Sequence, residues 1–399
     1  MSSTEAALRG LRNDDSPALL HDSDAAANDI ISNNRSASGH RLIIDTDAGV
    51  DDACALLCAL RLAPKLEHRV ELITTSFGNC SLGDVGRNVA KCVKMAGASG
   101  QVEIATGAAG PLRGTAIDAS YFHGKDGLGD VNPSDEGFCP LTGEEEEAIT
   151  LSLSSPASSR ILQICGEEGS VTIITLGPLT NLALALQVDS SRVIRRSCRK
   201  LVIMGGCGNA RGNVSRVAEF NIAADPEAAS LVFEEVQSWG ESCEVVVVGW
   251  DLCVEYPMPW SAFDAALLPT IDRKMKSGSA HDGPTLREFV RAICRKGYFA
   301  DRQKNGGEDG GESGQKRANS GAVICDALAV CVALFPAVAT RSTRVHVDIE
   351  TTGSITRGMT VLCHNHCYDG VERERTVSWV EAVDVKLYGE LFDAALTEG

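Results

Sequence analysis

Positive charge is what this chain has least of: 37 Lys and Arg stand against 54 Asp and Glu, a formal net charge of −17. With a pI near 4.9 there is no basic face to offer, which argues against nucleic acid or an anionic membrane as a partner. Long apolar runs are missing as well. No stretch of about 18 apolar residues is available to span a bilayer. The first forty residues lack both the apolar core of a secretory signal and the arginines of a transit peptide, so the expected compartment is the cytosol. Cysteine is plentiful at 15 but has no pattern. There is no CxxC pair, and Cys54, Cys58, Cys92, Cys294 and Cys331 fall inside apolar helical segments. They read as reduced, buried small hydrophobes of an intracellular protein, not as a disulfide framework or a zinc site. A small neutral substrate or a bound cation suits this composition better.

What is present is a regular alternation of strand and helix signals. Residues 1 to about 40 are polar and aperiodic and read as a disordered arm, with room for a short helix near Ala6 to Arg12. From Arg41 onward, apolar strands are expected at 41–44, 70–75, 102–106, 171–176, 201–204, 244–248 and 343–349. Helices are expected at 53–60, 85–96, 179–186 and 323–334, and another opens at Asp225-Pro226-Glu227 with an acidic cap and a proline at its first position. Strands this apolar are covered on both faces. The pattern predicts one large α/β domain over 41–399 with a mostly parallel, Rossmann-like central sheet flanked by helices. Residues 107–145 are too long for a plain connector, and 301–321, rich in Gly, Glu and Lys, reads as a flexible insertion.

The chemistry concentrates between the first strand and the first helix, in Asp45-Thr46-Asp47-Ala48-Gly49-Val50-Asp51-Asp52. Open parallel sheets bind ligands at such strand-to-helix turns. A helix N-terminus favours one or two carboxylates, but four within eight residues repel one another unless a cation or strong donors neutralise them. Oxygen donors with no adjacent His or Cys point to a hard cation, Ca²⁺ or Mg²⁺. Further polar residues recur just past other strand ends: Asn79, the backbone carbonyl of Leu176, Met204-Gly205-Gly206, Asn213, Glu219, Asn221 and Asp326. Singly each has a plainer reading (Asn79 as a turn residue, Glu219 as a solvated charge, Asp326 as a helix cap). Together they follow different strands of one sheet and converge on one edge.

In chain order these stretches resemble the calcium-dependent nucleoside hydrolases, the inosine-uridine-preferring ribohydrolase family. The resemblance rests on the Asp45–Asp52 opening, Gly78-Asn79, His123-Gly124-Lys125-Asp126-Gly127-Leu128, Leu176-Gly177-Pro178-Leu179-Thr180-Asn181 and Met204-Gly205-Gly206. It continues through Gly212-Asn213, Ala218-Glu219-Phe220-Asn221-Ile222, Asp225-Pro226-Glu227-Ala228-Ala229, Val347-Asp348-Ile349-Glu350 and Thr356-Arg357-Gly358. It implies that Asp47, Asp52, Asp326 and the Leu176 carbonyl hold Ca²⁺ together with a water and two ribose hydroxyls. Asp47 would act as general base. Asp51, Asn213, Glu219, Asn221 and the shared Asp326 would bind the sugar, Asn79 would orient the water or the sugar, and Met204 would pack beside it. His123 would approach the base pocket. A homodimer or homotetramer is expected by the same likeness.

The chain departs from the family's pattern twice. Ala48 stands where a proline is usual, which loosens the turn and is expected to leave the ligands in place. Cys325 stands where many members carry the His that protonates the departing base, as in a Cys-bearing branch of the family. A thiol with a pKa near 8.5 can donate a proton but is a weaker hydrogen-bonding group, so base activation and base specificity stay open. Two other readings compete with hydrolysis. One is a nucleoside- or ribose-binding relative that has lost turnover through Cys325. The other, a phosphatase built on Asp45-Thr46-Asp47, leaves Asp51 and Asp52 without a role.

Overall fold

The computed structural model describes residues 31, 39–135, 137–152, 156–268, 284–304, 321–365, 367–368 and 371–397. Most of the expected N-terminal arm and of the 301–321 insertion therefore lies outside the described residues. Ile31, within that arm, is buried against the core, which the polar composition around it does not announce.

Nine strands form one sheet. They are β1 (Arg41–Thr46), β2 (Arg69–Thr75), β3 (Glu103–Thr106), β4 (Val171–Thr175), β5 (Cys198–Met204), β6 (Glu244–Val248), β7 (Ala339–Ile349), β8 (Thr360–Cys363) and β9 (Val377–Val383). Their spatial order is β8-β7-β9-β6-β5-β4-β1-β2-β3. Only β7 is reversed, pairing antiparallel with β9 and β8; every other pairing is parallel. The chain lays β1 to β3 outward on one side and β4 to β6 on the other. The order thus reverses between β1 and β4, and the crevice beyond their C-terminal ends is where such a sheet takes its ligand.

Alternation along the strands divides the core in two. Leu42, Ile44, Ile73, Ile174 and Val202 join helices α1 (Val50–Leu62), α2 (Leu82–Met95), α5 (Cys325–Leu334) and α6 (Val385–Leu396) on one face. Ile43, Leu72, Ile173, Leu201, Ile203 and Val247 join α3 (Thr180–Val188) and α4 (Pro226–Gln237) on the other. Each fully buried branched side chain contributes about 1.5–3 kcal/mol, and a one-residue slip would exchange the faces. Register is therefore fixed on both sides, and with it the height at which each strand releases its chain into the crevice. The expected cap of α4 is present: Asp225 accepts from the Ala228 N–H at 3.1 Å, with Pro226 following it. Among the described residues no helix is long and apolar enough to cross a membrane.

Candidate active site

The β1–α1 turn is shaped by its own side chains. Asp52, in the first turn of α1, reaches back to accept the Gly49 N–H at 2.9 Å, the reciprocal arrangement that closes a helix start. Thr46 donates its hydroxyl to the other Asp52 oxygen at 2.5 Å and accepts the Ala48 N–H at 3.1 Å. Ala48 takes φ +39°, a value that a proline ring excludes. The replacement thus does more than loosen the turn, because both this backbone angle and the Ala48 N–H bond are closed to proline.

Asn79, one turn past β2, ties two carboxylates together. Its amide nitrogen donates to Asp47 Oδ1 at 3.1 Å and to Asp52 Oδ2 at 2.9 Å, and its backbone N–H donates to Asp47 Oδ2 at 2.9 Å. Gly78 is required beside it, since a Cβ there would collide with the Asp47 carboxylate. Asp326 arrives from the first turn of α5, buried to 3% exposure. It does not cap that helix, whose cap position is Ile324; its side chain joins the aspartates of α1. Asp51, Asp52 and Asp326 each offer an oxygen, all within 4.8 Å of one another. Asp47 lies outside that triad and is linked to it through Asn79.

These groups are not at ease without a cation. Burial, followed by repulsion from Asp52, pushes Asp47 well above the usual carboxylate range. Burial and then the other aspartates do the same to Asp326. Asp52 is raised by burial and by Asp51, and burial pushes Asp51 up to about 6. One Asp51 oxygen is buried with no hydrogen-bond partner. An all-oxygen donor set with excess negative charge and an unsatisfied acceptor fits a hard divalent cation, and Asp51, Asp52 and Asp326 can hold a metal ion.

The sequence pattern of the family described as inosine-uridine preferring nucleoside hydrolase matches residues 42–390. This chain belongs to that family. It is 34% identical over 321 residues to the inosine-uridine preferring nucleoside hydrolase of Crithidia fasciculata, spanning 80% of this chain and 87% of that one. Uridine nucleosidase 1 of Arabidopsis thaliana is 39% identical over 218 residues, a shorter match covering 54% of this chain and 57% of that one. Among solved structures, an inosine-guanosine nucleoside hydrolase superposes with a TM-score of 0.71 at 27% identity, covering 90% of this chain and 99% of that one.

In this nucleoside hydrolase Glu219, Asn221 and Met204, three of the residues expected at the sugar, are joined by hydrogen bonds. Glu219 is buried, not solvated. It caps the helix Phe220–Ala224 and accepts from the backbone N–H groups of Gly206, Asn221 and Ile222, while burial pushes its carboxyl up to about 7. Asn221 donates its amide to the carbonyls of Leu176 (2.7 Å) and Met204 (3.2 Å) and to the Met204 sulfur, joining the ends of β4 and β5. Asn213 is exposed in the loop after β5. His123 is buried, and its Nδ1 accepts the Val50 N–H at 3.0 Å, 3.8 Å from Asp51. Burial pushes its pKa down to about 4, so at neutral pH it is an uncharged ring seated on the start of α1. Cys325 faces Cys253 of the helix Trp250–Glu255; that thiol contact and burial hold its pKa well above normal. Sequence reasoning gave no supporting role to Thr74, Asn88 or Asn181, whose side chains bond to Asp45 or to the Ala48 carbonyl. Asn181 was visible only as the end of the Leu176–Asn181 stretch, and Asn88, which donates to the Ala48 carbonyl at 3.1 Å, gave no signal at all.

Proposed function

We propose that this chain hydrolyses the N-glycosidic bond of ribonucleosides to ribose and free base, in nucleoside salvage, with Ca²⁺ in the aspartate cleft. The observation that carries this reading is the meeting of Asp51 and Asp52 with Asp326, buried, from opposite ends of the chain at the β1/β4 crevice. Asp52 and Asp326 would hold the cation, with Asp51 supplied by the geometry and Asp47 and the Leu176 carbonyl by the family resemblance. Bound there, Ca²⁺ supplies positive charge against which a water is more acidic and sugar hydroxyls are held.

The remaining work falls to the side chains. Asp47, held on both oxygens by Asn79, accepts the proton of the attacking water. As the bond to the base lengthens, positive charge grows on the ribose, and the ring of Asp51, Glu219 and Asn221 stabilises it. At the base end Cys325 keeps its proton, so the thiol is a donor if the base approaches Cys253.

Incubation with inosine and uridine in the presence of calcium should release reducing sugar. Asp47→Asn should lower kcat by about 10²–10⁴. No ribose from any nucleoside would refute the reading. The engagement of Cys325 with Cys253 favours a second possibility, a binding relative without turnover, which would show calorimetric nucleoside binding and no ribose. We further assign the protein to the cytosol as a homodimer or homotetramer, which light scattering and cell fractionation test.

A further inference from the structure

Beneath the aspartate cleft lies a second layer of polar contacts that the reaction above does not use. Asn181, the second residue of α3, is 1% exposed. Its amide nitrogen donates to Asp45 Oδ1 at 2.7 Å and to the Thr75 carbonyl at 3.0 Å, and its amide oxygen accepts the Ala108 N–H at 2.8 Å. The same Asp45 oxygen accepts the Thr74 hydroxyl at 2.5 Å, and the Asp45 carbonyl accepts the Leu176 N–H at 2.7 Å. One side chain thus touches the end of β1, the end of β2 and the chain leaving β3. Through Asp45 it also reaches the residue leaving β4, the one whose carbonyl accepts from Asn221. Gly107 permits the approach: a Cβ there would strike both the Thr75 carbonyl and the Asn181 amide.

We propose that Asn181, acting through Asp45, is a positioning residue for the cation site: it sets the height of the β1–α1 turn against the Leu176 carbonyl. The inference rests on the reading of the cleft as a Ca²⁺ site. The chemistry requires an amide, because only a group that both donates and accepts satisfies Asp45, Thr75 and Ala108 together. A carboxylate at this position would face the Asp45 carboxylate and the Thr75 carbonyl, acceptor against acceptor. A strand end displaced by a few tenths of an ångström misplaces every oxygen donor on that strand, and supports of this kind typically carry a 10–100-fold effect on metal affinity.

The test is calorimetric titration of Ca²⁺ into wild type, Asn181→Ala, Asn181→Asp and Thr74→Val, without nucleoside, alongside kcat, KM and melting temperature. Asn181→Ala should weaken Ca²⁺ binding by about 10–100-fold. Asn181→Asp should weaken it more, despite its closer shape, and kcat should fall with KM much less affected. Thr74→Val, close in shape and expected to fold, should cost a few-fold in Ca²⁺ affinity. A lowered melting temperature with wild-type Ca²⁺ affinity in Asn181→Ala would overturn the proposal, as would an unchanged affinity in Thr74→Val if the Asn181 variants do not fold. A wild-type chain that binds no Ca²⁺ would instead overturn the reading of the cleft itself.

Discussion

Calcium should raise the melting temperature of this protein at pH 8 and cease to do so near pH 5. Without the cation, the folded state forces buried carboxylates together. For Asp51 alone, which burial pushes up to about 6, the ionised form costs about 3 kcal/mol in the fold. At Asp51 the folded, cation-free chain therefore binds more protons than the unfolded chain between about pH 4 and 6. The contribution of Asp51 therefore falls as pH rises through that window; Glu219, held near 7, and Asp47 and Asp326, also raised, carry the fall to higher pH, while His123, held near 4, opposes it between about pH 4 and 6.5. A cation that binds only the folded, ionised cluster acts in the opposite sense. At a hundred times its Kd it adds about 2.7 kcal/mol. With an unfolding entropy of about 2.1 cal/mol/K per residue over the roughly 320 described residues, the total is about 0.7 kcal/mol/K, so that gain corresponds to about 4 °C. As pH falls, protons displace the ion and the increment shrinks. Differential scanning calorimetry with calcium against chelator, from pH 5 to 8, reads the quantity directly. Identical melting temperatures at pH 8, or an increment as large at pH 5 as at pH 8, would refute the electrostatic account of the cleft.

Cys325→His replaces a thiol that faces Cys253 with a ring able to protonate a departing base. It should speed release of poor leaving groups by about 10-fold or more in a reducing-sugar assay, and no gain would show that this position does not handle the base. Ala48→Gly should relieve the left-handed strain at φ +39° and stabilise by about 1 kcal/mol, whereas Ala48→Pro, which removes the N–H donated to Thr46, should destabilise by more than about 1 kcal/mol. Urea midpoints compare the two, and a proline variant as stable as wild type would contradict the turn described here.

The order of strands and helices was legible because apolar period and capping agree locally. Val171–Thr175 is buried at every position, as its run of Val, Ile and Thr predicts, and the Asp225-Pro226 pair caps α4 as written. Strand order was not written in this way. That β4 pairs with β1 and not with β3 is a property of the assembled sheet, which no local pattern along β4 records. Ile31 shows the converse failure: one apolar residue in a polar stretch has no periodicity to mark it, yet it is buried against the core.

The two ends of the reacting bond differ in legibility for the same physical reason. At the sugar end, function demands charge crowded into one turn, and four aspartates from Asp45 to Asp52 carry an electrostatic penalty larger than one helix cap and one buried support account for. The demand itself is the signal. At the base end, function demands only a shaped wall with a proton donor, and such a wall costs nothing visible in sequence. The residues around Cys325 come from the helix Trp250–Glu255 and from the turn that carries Tyr298, whose hydroxyl donates to the Val323 carbonyl. Phe122 meets Tyr298 edge-on, its ring 5.3 Å away, from a one-turn helix far off in the chain. Apolar and aromatic side chains in these segments look like ordinary core until the fold sets them side by side. A cleft of this kind announces which sugar chemistry it performs and keeps its choice of base in contacts that only tertiary structure creates. Substitutions at Cys325, Cys253 and Tyr298 should therefore move the ratio of kcat/KM between inosine and uridine, while those at Asp52 and Asp326 should depress both alike.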